Sequence, residues 1–214
     1  MPTRPKNEKE LQLREAIGVI RASRFIRKYA HAHKLINFET VCAIHKEIFK
    51  DAWPEVAGKY RTENLEITDS NHLPPHYSKV LGEIKRANIE LVNRLSQLKT
   101  VESFFLDSKE MTVEVIDSVD KIIKVVAWLH HKITFIHPFR EGNGRTARLA
   151  ANLILERYGL VGISIKIEKE NKNKYRQALA QVDRADDYEP LEGLIYEGLI
   201  DRYNGVGMKY YEVK

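Results

Sequence analysis

A single break, HPFREGNGR at residues 137–145, interrupts a long run of helical periodicity. Before it, from about Ser118 to Phe135, apolar residues repeat at the spacing of one helix face. This stripe consists of Ile122, Val126, Leu129 and Ile133. Pro138 has no amide donor and disfavours a helical residue before it, so the helix should end near Ile136. A second helix should begin near Gly144, which predicts a helix–loop–helix unit.

Most of the remaining sequence also favours helices. The helix after the break should end at Tyr158-Gly159, a C-terminal cap. Five further helices are predicted over Lys9–Tyr29, Phe38–Phe49, Lys79–Leu98, Asn171–Val182 and Leu191–Tyr203. One segment differs: in residues 59–77 Leu65 and Ile67 alternate with polar residues, and two prolines then exclude a helix. The expected fold is mostly α with one small β-hairpin.

Composition places the chain among soluble globular proteins. Of 214 residues, 43% are hydrophobic and 30% charged, which fits one domain and excludes a disordered chain. No apolar run approaches the roughly 18 residues of a membrane-spanning helix, and the polar N-terminus shows no secretory signal. A lone cysteine, Cys42, fits a reducing compartment. We therefore expect a cytoplasmic protein, with no membrane or nucleic-acid partner.

The residues of the break suit a polyphosphate ligand. Gly142 and Gly144 lack β-carbons, so the backbone can turn several N–H groups toward one point at the start of a helix. Arg145 and Arg148 are spaced to project from one face of that helix. Two guanidinium groups bind phosphate well, and the amide of Asn143 can donate to a phosphate oxygen.

Two further residues add chemistry to this loop. Glu141 would be an odd neighbour for phosphates unless a divalent cation lies between them, and Mg²⁺ is commonly held by one carboxylate and phosphate oxygens. A neutral His137 could take a proton from a hydroxyl that attacks phosphorus. Taken alone, however, His137 could be a loop or core histidine, Glu141 a helix-start charge, and the two arginines a solvated face.

HPFREGNGR resembles the signature of the Fic family, H-P-F-x-[D/E]-G-N-[G/K]-R, at every fixed position. The following T-A-R, which ends at Arg148, is similar to the adenylylating members. The resemblance extends from about Phe38 to Ile200. It includes IHKEIF at 44–49, AGKYR at 57–61, LHHKITFI before the motif and LAANLILERYG after it.

The resemblance implies a helical Fic domain with a hairpin flap, here residues 37–203, between an N-terminal helical extension (1–36) and a tail (204–214). Fic proteins transfer AMP from ATP to a Ser, Thr or Tyr hydroxyl of a target protein and release pyrophosphate. It implies that His137 is the general base, Glu141 the Mg²⁺ ligand and Phe139 the anchor of the loop. The implied nucleotide-binding residues are Gly142, Asn143, Gly144, Arg145, Thr146, Arg148, Tyr175 and Asp183.

Some residues have alternative interpretations. Tyr175 also fits a core stripe with Leu179 and Val182, and Asp183 stands where related proteins carry Asn. His130 and His131 are expected to be packing or surface groups. In the flap, the target would pair by strand addition with Leu65, Glu66, Ile67 and Thr68.

Two alternative functions remain open at this stage. A Doc-like phosphotransferase would carry Ala-Asn-Lys-Arg where this chain has Gly142-Asn143-Gly144-Arg145, and a nucleotide-binding interaction module would have little catalysis. For regulation, Fic proteins use a helix with [S/T]-x-x-x-E-[G/N]. The nearest matches end at Glu192 and Glu197 but lack the hydroxyl residue, so an antitoxin-like inhibitor protein is the other candidate restraint.

Overall fold

Seven helices form the regular structure of the part of the chain that this computed structural model describes, residues 5–32, 34–67, 72–101, 112–164 and 169–204. All seven helices predicted from the sequence are confirmed. They are α1 (Glu8–His31), α2 (Phe38–Phe49), α3 (Tyr77–Ser96), α4 (Val113–Ile136), α5 (Asn143–Arg157), α6 (Lys169–Ala185) and α7 (Glu189–Asn204). These residues contain no strand.

Side-chain caps decide where several helices begin. Asn7 accepts a hydrogen bond from the Glu10 amide at the start of α1, and Asn37 and Thr40 form a reciprocal capping box at α2. The Thr112 side chain accepts a hydrogen bond from the Val115 amide and caps α4, which starts at Val113. The hydrophobic stripe predicts a start at Ser118, five residues later. The two differ because the first turn of α4 precedes the buried face of this helix.

The core is organised around α4. Its residues from Ile122 to Ile136 are largely buried, and the helix packs against α3, α5, α6 and α7. On the other side of α5, α1 packs against both α2 and α5. Gly18 permits this approach, since a β-carbon there would lie 1.9 Å from the Ile48 carbonyl oxygen of α2. With Ala22, Ile26 and Ala30 buried, α1 shares the core of the remaining helices.

The segment between α2 and α3 is irregular. Residues 59–67 and 72–76 form neither helix nor strand, so the predicted β-hairpin is absent from the described part of this segment. Thr68, the last of the predicted docking residues, lies outside the described residues, as does the predicted tail after Asn204. Among the described helices, none has a stretch long and apolar enough to cross a membrane.

Candidate functional site

The loop between α4 and α5 contains two residues with a left-handed backbone. His137 ends α4 in the left-handed region, with φ 50° and ψ 58°, and its N–H donates to Ile133 O at 3.0 Å. Gly142, at φ 76°, is also left-handed and precedes the first residue of α5. A non-glycine residue such as His137 adopts this conformation at a cost, which is often found at functional sites.

Two buried aromatic groups anchor the loop. Phe139 is fully buried and its ring stacks on His45 of α2, with 3.9 Å between centroids. His45 Nε2 donates to Glu141 O at 3.0 Å, and its Nδ1 accepts from the Gly58 amide at 2.8 Å. Burial lowers the pKa of His45 to about 4, so the ring is neutral and both bonds fit one tautomer.

The Asn143 side chain holds the loop together from inside. It is buried, its Oδ1 accepts from the Phe139 amide at 2.9 Å, and its Nδ2 donates to Phe139 O at 2.8 Å. The sequence predicted that this amide donates to phosphate. In the structure both polar atoms of this side chain bond to Phe139 of the loop, and the predicted phosphate contact stays a prediction.

Thr146 also faces inward. It is fully buried, and its amide donates to Gly142 O at 2.9 Å. Its buried hydroxyl has no hydrogen-bond partner among the described residues, and the predicted contact with a nucleotide stays a prediction. By contrast, in the described structure no side chain caps the N-terminus of α5, so its first N–H groups form a partly positive helix end.

The His137 ring has one nitrogen free to accept a proton. Its Nδ1 lies 3.3 Å from Thr134 O, and a carbonyl only accepts, so Nδ1 carries the hydrogen and Nε2 keeps its lone pair. Burial, together with the positive charge of Arg61, lowers the pKa of His137 from its usual 6.5, despite the Thr134 bond and the nearby Glu141 carboxylate. The neutral ring is therefore favoured.

Arg145 is held by two carboxylates. Its Nη1 pairs with Glu15 of α1 at 2.6 Å, and its Nη2 lies 3.4 Å from Glu141. Its guanidinium also lies over the Phe49 ring, 4.9 Å from the centroid. The sequence analysis missed Glu15. Its helical register with the buried Gly18 and Ala22 was the available signal, since an acid on a buried helix face needs a partner.

Arg148 folds back toward the start of α5. A β-carbon added to Gly144 would lie 3.4 Å from Arg148 Nη1. Burial lowers the pKa of the Arg148 guanidinium, although the group stays charged. The structure thus brings Gly144 and both predicted phosphate-binding arginines to one helix end.

A cavity of about 920 Å³ opens beside this helix end. His137 and Gly144 line one part of it, and Tyr175 and Asp183 of α6 line another. Ile67 of the predicted flap lines it as well, together with His72 and Leu73. Of the other predicted flap residues, Leu65 is half-buried and Glu66 is exposed.

The two adjacent histidines of α4 support the far side of the cavity. His131 Nε2 donates to Asp183 Oδ1 at 2.8 Å, and His130 Nε2 lies 2.8 Å from the Tyr175 hydroxyl. Both rings are buried, as the packing alternative predicted. Burial lowers the pKa of each ring, that of His130 to about 3. No sequence pattern connects either histidine with Tyr175 or Asp183.

The predicted inhibitory acids lie on α7. Glu197 pairs with Lys174 of α6, and burial raises the pKa of Glu192, which is near Lys124. Neither contacts Arg145 or Arg148 within the described ranges. Their inhibitory role remains a prediction. Glu15 of α1, by contrast, pairs with Arg145.

Relatives in several animals resemble this chain. The "Protein adenylyltransferase fic-1" of Caenorhabditis elegans is 28% identical over 156 residues, covering 72% of this chain and 26% of that protein. The "Protein adenylyltransferase Fic" of Drosophila persimilis is 38% identical over 172 residues, covering 80% of this chain and 29% of that protein. The chain thus spans roughly a quarter to a third of the length of these curated relatives.

Solved structures share the fold. A Fic-1 fragment from C. elegans (residues 134–508) superposes with a TM-score of 0.68 at 25% identity, covering 97% of this chain and 55% of the fragment. BepC, a translocated effector of Bartonella tribocorum with bound AMPPNP, gives a TM-score of 0.61 at 16% identity, covering 90% and 88%. Residues 35–155, more than half of the sequence, match the Fic/DOC family. The chain therefore belongs to the Fic/DOC family.

Proposed function

We propose that the chain is a protein adenylyltransferase, which transfers AMP from ATP to a Ser, Thr or Tyr hydroxyl of a target protein. The observation that carries the proposal is the placement of the His137 imidazole and the open N-terminus of α5 on one cavity. The names of the relatives and the AMPPNP bound by BepC support the same reaction.

His137 supplies the base for this transfer. Its Nε2 accepts the proton of the target hydroxyl as the hydroxyl oxygen attacks the α-phosphorus. A new P–O bond forms to the target, the bond between the α-phosphorus and the bridging oxygen breaks, and pyrophosphate leaves. The Thr134 carbonyl keeps the proton on Nδ1 and so keeps Nε2 free to accept.

The start of α5 holds the phosphates. Its first N–H groups and the guanidinium groups of Arg145 and Arg148 offset the negative charge that moves onto the leaving pyrophosphate. Glu141 fits Mg²⁺, because its exposed carboxylate lies beside the phosphate site. The contacts with the Gly142 amide at 2.9 Å and with Arg145 at 3.4 Å both involve Oε1, which leaves Oε2 for the metal. Bound Mg²⁺ would add positive charge next to the phosphate oxygens.

The far end of the cavity suits the nucleoside. Tyr175 and the aliphatic side chains of Leu179 and Ala180 offer apolar surface there, while Asp183 offers a carboxylate. Because His130 and His131 bond to Tyr175 and Asp183, these two walls are fixed before a ligand arrives. We propose that the base packs against Tyr175 and that Asp183 faces the nucleoside.

Glu15 should compete with ATP for Arg145. We expect Glu15→Gln to strengthen ATP binding by about tenfold, or about 1.4 kcal/mol, because ATP no longer has to displace a charge-assisted hydrogen bond. Isothermal titration calorimetry with ATP and Mg²⁺ measures this change. The matched control is Glu10→Gln, which removes an acid that pairs with Arg14 on the same helix. Equal affinity in wild type and Glu15→Gln would show that the Glu15 contact does not limit binding.

Radiolabelled ATP tests the proposed reaction directly. The full chain is incubated with Mg²⁺, cell lysate and ATP labelled at either the α- or the γ-phosphorus. Label from α-ATP on the chain itself or on a lysate protein is the expected result. Transfer from γ-labelled ATP alone would instead establish a phosphotransferase, which the glycines at 142 and 144 argue against. Bound ATP with no transfer from either label would favour a nucleotide-binding interaction module.

A further inference from the structure

Arg61 is a buried cation with an unusual set of partners. Its residue is 5% exposed, and burial lowers the pKa of the guanidinium. Within the described ranges no carboxylate forms an ion pair with it. All the acceptors of its guanidinium are backbone carbonyl oxygens, and they belong to Glu63, Pro75, Ile136 and His137.

Two of these carbonyls belong to the end of α4. Nε donates to His137 O at 2.8 Å, and Nη2 lies 3.5 Å from Ile136 O. The last carbonyls of a helix lack helical partners and carry partial negative charge. They offset part of the cost of burying the guanidinium. In addition, the Arg61 amide donates to Pro138 O at 2.8 Å, so Arg61 contacts three consecutive carbonyls around the strained His137 backbone.

The other two carbonyls bracket the segment before α3. Nη1 donates to Glu63 O at 2.9 Å, and Nη2 donates to Pro75 O. Between these points lie Ile67, His72 and Leu73, which line the cavity with His137. One planar guanidinium therefore holds residues 63–67 and 72–75 relative to the carbonyl of His137.

We propose that Arg61 is a positioning residue for group transfer. It sets the distance between residues 63–67 and 72–75, on which the target would dock, and the imidazole that takes the proton. This inference rests on the proposed function. Arg61 touches no reacting atom, and its effect comes from the fork of donors on a rigid plane, which a lysine ammonium does not reproduce.

Arg61→Lys keeps the positive charge but removes the planar fork of donors. A displacement of about 1 Å at a catalytic centre costs about 100-fold in rate, so we expect kcat for label transfer to fall by about that factor. The KM for ATP should stay near the wild-type value, because Arg61 has no contact with the start of α5. In Arg61→Ala, added guanidinium ion below denaturing concentrations should restore part of kcat. The matched control is Arg86→Lys, an exposed arginine of α3 that pairs with Glu83.

Hydrogen–deuterium exchange provides a readout that does not depend on activity. In Arg61→Lys, peptides covering residues 62–67 and 72–77 should exchange faster than in wild type, while peptides from α3 remain unchanged. Full kcat together with wild-type exchange in a folded Arg61→Lys would overturn the proposal. Arg61→Gln replaces Arg61→Lys if the latter does not fold, and loss of folding in both would assign Arg61 to stability alone. A wild-type chain that transfers no label contradicts the proposed function, and the exchange data then still decide whether Arg61 fixes the segment.

Discussion

Replacement of His137 by alanine is expected to lower the rate of AMP transfer by about 10²–10⁴-fold, the usual contribution of a general base. The loop should persist in this variant, because Phe139, Asn143 and His45 hold it independently of the His137 ring. ATP affinity should therefore stay near wild type. Single-turnover transfer and calorimetric titration with ATP measure the two quantities separately.

The pH profile adds a second check on this base. Because burial lowers the pKa of His137 below 6.5, the imidazole stays neutral as the pH falls through that value. The rate should decline only at lower pH, where the ring becomes protonated. His31→Ala, at the exposed end of α1, is the matched control and should leave both profile and rate unchanged. Transfer by His137→Ala at the wild-type rate would exclude His137 as the base.

Replacement of Gly142 by alanine is expected to disrupt the loop and the packing beneath it. The added β-carbon would lie 2.2 Å from Phe49 Cε2 and 2.4 Å from Phe49 Cζ, and Phe49 is fully buried. Overpacking of this kind costs about 1–3 kcal/mol, and the left-handed backbone at φ 76° adds about 1–2 kcal/mol for a residue with a β-carbon. Urea denaturation should show the loss in unfolding free energy.

Gly144→Ala is the control for this substitution. Its added β-carbon has a single neighbour, Arg148 Nη1 at 3.4 Å, and Gly144 lies in the first turn of α5. Stability should therefore match wild type or rise by up to about 1 kcal/mol, the helix propensity difference. ATP affinity should fall in Gly142→Ala because the phosphate-binding N–H groups move with the loop. Equal stability of the two alanine variants would contradict the predicted clash.

Hydrophobic periodicity was sufficient to predict all seven helices, since each buries one face against the core. Boundaries depend on caps instead, so α4 begins at Val113, after the Thr112 cap, and not where its stripe starts. The predicted hairpin depended on alternation over two residue pairs, and the described residues of that segment form no strand. Alternation over so few residues was a weak signal. The path of this segment is instead set by the buried Arg61, which bonds to the carbonyls of Glu63 and Pro75 and to the end of α4.

At the site, the motif predicted the loop and the positions of His137, Arg145 and Arg148, because these residues are close together in the sequence. The supporting contacts were not predictable in this way. Arg145 pairs with a residue 130 positions away, and Arg61 bonds to a carbonyl 76 positions away. No periodicity relates such residues. The available signal is a charged group on a buried face, which requires a partner without saying which one.

The position of α1 couples the stability of the protein to the access of ATP to Arg145. Its buried face packs on α2 and α5, and Glu15, in register with that face, holds a phosphate-site arginine. A substitution that shifts α1 should therefore change thermal stability and access of ATP to Arg145 together. A fragment trimmed to residues 35–155 would lose both the helix and its acid. Substitutions in α1 that raise activity would then also lower stability. Screens for activity at elevated temperature would miss such variants.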